Sequence, residues 1–139
     1  MIVGREKEIK LLQGLFEEEE SQFVAVYGRR RVGKTFLIRE AFNYHFAFQH
    51  TGIYGASLRE QLDEFLESLY SAGMRKTKEV PHNWNEAFHL LERFIDKCKD
   101  KQKKVIFIDE MPWMDTHKSN FVRSLDHFWN SWATARKDI

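Results

Sequence analysis

The chain has 139 residues, 42% hydrophobic and 31% charged, with a net charge of +1. That composition suits one modest globular domain with its own core, and a near-zero charge gives no global field to draw in nucleic acid or an anionic membrane. A single cysteine, Cys98, rules out an internal disulfide framework, no apolar run approaches a membrane span, and no signal-peptide pattern precedes the first charges, so a cytoplasmic setting is expected.

Ile2-Val3-Gly4-Arg5 opens the chain, and a helix is predicted from Glu6 to about Glu19, with Ile9, Leu12, Leu15 and Phe16 as its apolar stripe. Glu17–Glu20 reads as an acidic helix end in solvent. Phe23-Val24-Ala25-Val26-Tyr27 is β-branched and aromatic, which predicts a short buried first strand. Gly28-Arg29-Arg30-Arg31-Val32-Gly33-Lys34-Thr35 follows, and a helix then runs from Thr35 to about Asn43. The alternating run Tyr44–His50 predicts a second strand, and residues 51–55 a turn.

Ser57-Leu58-Arg59-Glu60 is a capping box, so a helix starts there and ends near Gly73, with Leu58, Leu62, Phe65, Leu66 and Leu69 on one face. Asn83 and Glu86 repeat the cap pattern, and Trp84, Phe88, Leu91, Ile95 and Cys98 form the next stripe, placing Cys98 in the core. Lys104-Val105-Ile106-Phe107-Ile108-Asp109-Glu110 is a continuous apolar run that ends in two acids, as expected of a third strand buried on both faces. Met111–Met114 reads as a loop, and a last helix from about Ser119 carries Phe121, Leu125, Phe128 and Trp132 on one side. Strands separated by helices predict an α/β fold with a parallel sheet, and ligands in such sheets bind at the carboxyl ends of the strands.

Residues 28–35 read G-x-x-x-x-G-K-T, a phosphate-binding loop between a predicted strand and a predicted helix. Gly28 and Gly33 let the backbone approach a phosphate closely. Successive N–H groups and the helix start make an anion nest. Lys34 supplies a mobile charge for terminal phosphates, and the Thr35 hydroxyl can ligate Mg²⁺. Arg29, Arg30, Arg31, Lys34 and Arg39 form a local basic cluster, either a rim facing solvent or a partner, or a direct ligand set.

The run ending in Asp109-Glu110 resembles a Walker B motif, just as residues 28–35 resemble Walker A. By that resemblance Asp109 holds Mg²⁺ beside Thr35, and Glu110 orients and deprotonates the attacking water. Together with Val3-Gly4-Arg5-Glu6 and Ile108-Asp109-Glu110-Met111-Pro112-Trp113-Met114, the chain resembles the prokaryotic "archaeal-type" AAA ATPases, which are signal-transduction-like P-loop ATPases. The resemblance covers nearly the whole chain and implies a three-layer αβα P-loop NTPase fold. It implies catalytic roles for Glu110 and Lys34. It puts nucleotide at Val3, Gly4, Arg5, Gly28, Arg31, Val32, Gly33, Lys34, Thr35 and Phe36, with Val3, Gly4 and Arg5 near the adenine, and metal at Thr35 and Asp109. ATP and Mg²⁺ are the implied cofactors. A polar gate for the catalytic glutamate is expected at Gln49 or His50.

Family members continue with a fourth strand between the first and the third, then a fifth strand and a lid. The resemblance therefore marks residues 1–139 as the incomplete N-terminal part of the domain, truncated before that fourth strand. Without it, the third strand is expected to pair with the first, or two chains to associate through exposed sheet edges. The function expected is ATP hydrolysis that drives a conformational switch in a longer protein, with any protein or nucleic-acid partner engaged through further C-terminal domains. The alternative is a nucleotide-binding interaction module without turnover that contacts such a partner through Met111–Met114 and Arg29–Arg31. A GTPase or kinase is disfavoured, since no Asn-Lys-x-Asp run is present.

Overall fold

A computed structural model describes residues 6–26 and 33–139. In chain order its elements are α1 (Glu6–Phe16), α2 (Lys34–Ala41), β1 (Phe48–Thr51), α3 (Leu58–Ala72), α4 (Trp84–Asp96), β2 (Ile106–Asp109), α5 (Met111–Met114) and α6 (Phe121–Phe128), which runs on as a π-helical turn over Trp129–Ala133. β1 and β2 pair in parallel, Phe48 opposite Ile106 and Thr51 opposite Asp109. The expected α/β class with parallel pairing is therefore present, at the size of a two-stranded sheet.

Strand alternation divides the side chains between two faces. Phe48, His50, Ile106 and Ile108 point to one, and Gln49, Thr51, Phe107 and Asp109 to the other. The first face packs against α3, α4 and α6 in a continuous apolar core. Local sequence places these helices. The Ser57 hydroxyl accepts from the Glu60 N–H at 3.2 Å and the Glu60 carboxylate accepts from the Ser57 N–H at 3.0 Å, closing the expected capping box. Gly73 ends α3 with φ 117°, a left-handed angle that glycine adopts without a Cβ penalty. Asn83 accepts from the Glu86 N–H at 2.8 Å and starts α4. Trp84 is completely buried and meets Phe121 edge-on at 4.9 Å and Phe65 at 5.5 Å. Each such burial stabilises by roughly 1.5–3 kcal/mol.

Several expectations are corrected. Residues 23–26 form no strand, Tyr27 lies outside the described residues, and Phe23 and Val24 are 51% and 43% exposed. A strand needs a neighbour for its N–H and C=O groups. Among the described residues no ladder neighbour is supplied, because β2 pairs with β1 and not with residues 23–26. Instead the last residues of the chain enter between them. The Gln22 N–H donates to the Ile139 carbonyl at 3.0 Å, and the Lys104 N–H donates to the Asp138 carbonyl. The Lys104 ammonium, almost wholly buried, also meets the Asp138 carboxylate at 3.1 Å. The Arg136 guanidinium holds the Asp138 carboxyl far below the usual range.

The second strand begins at Phe48 rather than Tyr44, since Asn43 and Tyr44 take positive φ in the turn that ends α2. β2 is buried on both faces only in part, because Ile106 and Ile108 stay partly accessible. α1 stops at Phe16, and residues 111–114 are a helical turn rather than a loop. Cys98 lies beyond α4, which ends at Asp96, and is only half-buried.

Candidate functional site

Two chain segments far apart in sequence meet at the carboxyl end of β2. Gly33 caps α2 with φ 81°, a left-handed angle suited to glycine, and its carbonyl accepts from the Leu37 N–H at 2.8 Å. Lys34 and Thr35 are therefore the first two residues of α2, at the positive end of its dipole. The Thr35 hydroxyl donates to Asp109 Oδ2 at 2.6 Å, and the Glu110 N–H donates to Asp109 Oδ1 at 2.9 Å. Lys34, Asp109 and Glu110 line one cleft together with residues 23–26 and the exposed side of β2.

Asp109 is only 6% exposed, and both its oxygens take neutral donors. No ion pair reaches it among the described residues, nor does Lys34 make one. A buried carboxylate without a counter-charge is costly, so this arrangement suits a cation. The donors are hard oxygens, a carboxylate and a hydroxyl, and no group of three or more His, Cys, Asp or Glu fit to hold a metal occurs among the described residues. Mg²⁺ fits such a set, since it commonly takes one or two protein oxygens with waters and phosphates completing its shell.

Glu110 has φ 58° and ψ 43°, the left-handed region, at a cost of roughly 1–3 kcal/mol for a residue with a Cβ. Its neighbours over-determine that conformation. Glu110 N–H is held by Asp109, and the Glu110 carbonyl accepts from the Trp113 N–H at 3.1 Å. Gly52 lies directly against it: a Cβ there would stand 2.6 Å from the Glu110 carbonyl oxygen.

Of the residues expected from sequence, Lys34, Asp109 and Glu110 line this cleft, Thr35 is bonded to Asp109, Gly33 caps α2 just before them, and Phe36 follows on α2 with partial exposure. Val3, Gly4, Arg5, Gly28, Arg31 and Val32 lie outside the described residues, as do Arg29 and Arg30. The expected gate is not at His50. Its side chain is on the opposite face of the sheet from Asp109, buried among Phe48 and Phe65, with Nδ1 2.8 Å from the Ser68 hydroxyl. Burial lowers its pKa from 6.5 to about 4. Gln49 shares the Asp109 face but is exposed two residues earlier in register.

Gln61 is the participant that sequence reading missed. It is 1% exposed on α3, and its amide bonds both the N–H and the carbonyl of Ile53, at 3.0 and 2.7 Å, and the Trp113 carbonyl at 3.1 Å. The available signal was a polar residue at helical spacing from Leu58 and Phe65, among the mainly apolar side chains of that face.

A glycine-capped helix start thus faces a buried Asp109 and a partly exposed Glu110 at a strand end, and the family comparison assigns the chain to the ATPase class. The model of an ATPase domain predominantly from Archaea matches residues 2–137, and the chain belongs to that family. An uncharacterized protein of Methanocaldococcus jannaschii is 29% identical over 113 residues, which are 81% of this chain and 22% of that protein. An uncharacterized ATP-binding protein of the same archaeon is 42% identical over 40 residues, which are 29% of this chain and 68% of that protein. The chain thus spans about a fifth of the length of the first relative. No solved structure matches it.

Proposed function

We propose that this domain binds Mg²⁺·ATP in the cleft between the start of α2 and the end of β2 and hydrolyses it to ADP and phosphate. The observation that carries the reading is the contact between the Thr35 hydroxyl and the Asp109 carboxylate, 74 residues apart in sequence and 2.6 Å apart in space. Thr35 and Asp109 are the residues that would hold Mg²⁺, which when bound neutralises charge on the phosphates. Gly28, Arg31, Val32, Gly33 and Phe36 surround the phosphates in this reading, with Val3, Gly4 and Arg5 near the base.

Lys34 pairs with the terminal phosphate oxygens and stabilises charge there as the bond to the leaving group breaks. Glu110 accepts a proton from the attacking water. The water oxygen bonds the terminal phosphorus, the bridging P–O bond breaks, and ADP departs with that electron pair. The strained backbone of Glu110 supports this role, since such strain concentrates at active sites. In this reading the chain belongs to a three-layer P-loop ATPase domain. In that reading the space between residues 23–26 and β2 is the place of a fourth strand, and the bonds from Gln22 to Ile139 and from Lys104 to Asp138 support it. Turnover in the longer protein drives a conformational switch.

Two variants test this in the full-length protein. Lys34→Ala is expected to abolish the rise in melting midpoint that ATP produces, a rise that corresponds to about 2.7 kcal/mol at a ligand concentration a hundredfold above Kd. Glu110→Gln is expected to keep that rise and lose about 10²–10⁴-fold in kcat. Undiminished turnover by Glu110→Gln would show that the base is misassigned.

A further inference from the structure

We propose that Gln61 is a positioning residue for Glu110, an inference that rests on the hydrolytic reading above. Gln61 stands on α3, on the far side of the sheet end from α2, and touches neither Lys34 nor Asp109 in any hydrogen bond. Its side chain is fully buried, and each half of the amide is used. The oxygen accepts from the Ile53 N–H, and the nitrogen donates to the carbonyls of Ile53 and Trp113.

Those three bonds tie together the two segments that enclose Glu110. On one side the chain leaves β1 through Gly52, whose N–H donates to the Asp109 carbonyl at 3.0 Å and whose α-carbon faces the Glu110 carbonyl closely enough that no Cβ fits. Ile53, the next residue, is the one Gln61 holds at both backbone groups. On the other side Glu110 leads into α5, where the Trp113 N–H donates to the Glu110 carbonyl and the Trp113 carbonyl accepts from Gln61. Gln61 thus closes a ring of contacts: Gly52 against Glu110, Glu110 to Trp113, Trp113 to Gln61, Gln61 to Ile53.

A left-handed glutamate persists only where its surroundings impose it. Thr35 and Asp109 fix the Glu110 N–H from the α2 side, and the Gln61 ring fixes its carbonyl from the α3 side. Removing the Gln61 amide takes one bonding partner each from the Ile53 N–H, the Ile53 carbonyl and the Trp113 carbonyl, so the tie between the two segments loosens. The Glu110 carboxylate then loses its direction toward the cleft, while Lys34 and Thr35 keep theirs. The expected signature is a loss in kcat with nucleotide affinity retained.

The test uses Gln61→Met in the full-length protein, with Gly52→Ala as an independent perturbation of the same ring that leaves the Gln61 amide intact. Both are expected to lower kcat by about ten- to a hundredfold, the scale of a 1 Å misplacement, with KM for ATP and the ATP-induced midpoint rise unchanged. Gln61→Met combined with Glu110→Gln is expected to be no slower than Glu110→Gln alone, because Gln61 acts through Glu110. Hydrogen exchange at the Trp113 amide, which reports its bond to the Glu110 carbonyl, is expected to accelerate in Gln61→Met. Unchanged kcat and unchanged Trp113 exchange in Gln61→Met would overturn the proposal, as would a double variant slower by the product of the two effects. A wild-type rate in Glu110→Gln overturns the hydrolytic reading instead, and the Trp113 exchange then still decides whether Gln61 holds this turn.

Discussion

The face of the sheet covered by α3, α4 and α6 and the face that looks toward α2 are built to different standards. On the first, Phe48, Phe65, Leu69, Trp84, Leu91 and Phe121 are fully or almost fully buried, and aromatic rings touch in an unbroken chain from β1 through to α6. On the second, α1 buries only Leu12, and residues 23–26 have no ladder partner among the described residues. The packed side carries Gln61 and the ring of contacts around Glu110. The open side carries Lys34 and Thr35. Under the proposed function the base would stand on the densely packed side and Lys34 and Thr35 on the more sparsely packed one, in keeping with the tendency of ligand-binding segments to come from the less stable parts of a fold.

Breaking the packed side has the largest expected effect. Trp84→Ala should cost about 3–5 kcal/mol of unfolding free energy, whereas Phe23→Ala on the open side should cost under about 1 kcal/mol. Denaturant titration of both variants reads that contrast directly, and equal costs would erase the distinction between the two faces.

Acid sharpens the same contrast. His50 sits under the packed face with its pKa lowered by burial to about 4, against 6.5 when free. The unfolded chain therefore binds the extra proton first. The full stability is present above pH 6.5 and is lost as pH falls from there toward 4, by up to about 3 kcal/mol. In His50→Leu that part of the slope should vanish, and a stability curve parallel to the wild type between those limits would contradict the assignment. The smallest effect belongs to a local signal: Ser57→Ala, which opens the capping box, should lower stability by about 1 kcal/mol without altering nucleotide binding.

What the sequence revealed and what it concealed divide along the same line. The caps of α3 and α4, the glycine that ends α3 and the apolar run of β2 are local, and each is complete within a few residues. Asp109 and Thr35 were legible as a pair because a phosphate loop and an acid-ended strand belong to one chemistry. Residues 23–26 have the composition of a strand, but composition cannot supply the neighbour that makes one. Cys98 continued the stripe of α4 by spacing, yet the helix turns off at Asp96 before reaching it. Gln61 and His50 occupy apolar-face positions, and only the contacts across the core show why a polar side chain stands there.

The central claim is that Thr35 and Asp109 belong to one Mg²⁺·ATP site. The most direct test is the melting midpoint of wild type and Asp109→Asn, titrated with ATP with and without Mg²⁺. Wild type is expected to gain markedly more from ATP when Mg²⁺ is present, and Asp109→Asn to lose that Mg²⁺-dependent increment while still folding. An increment of equal size in both proteins would contradict it.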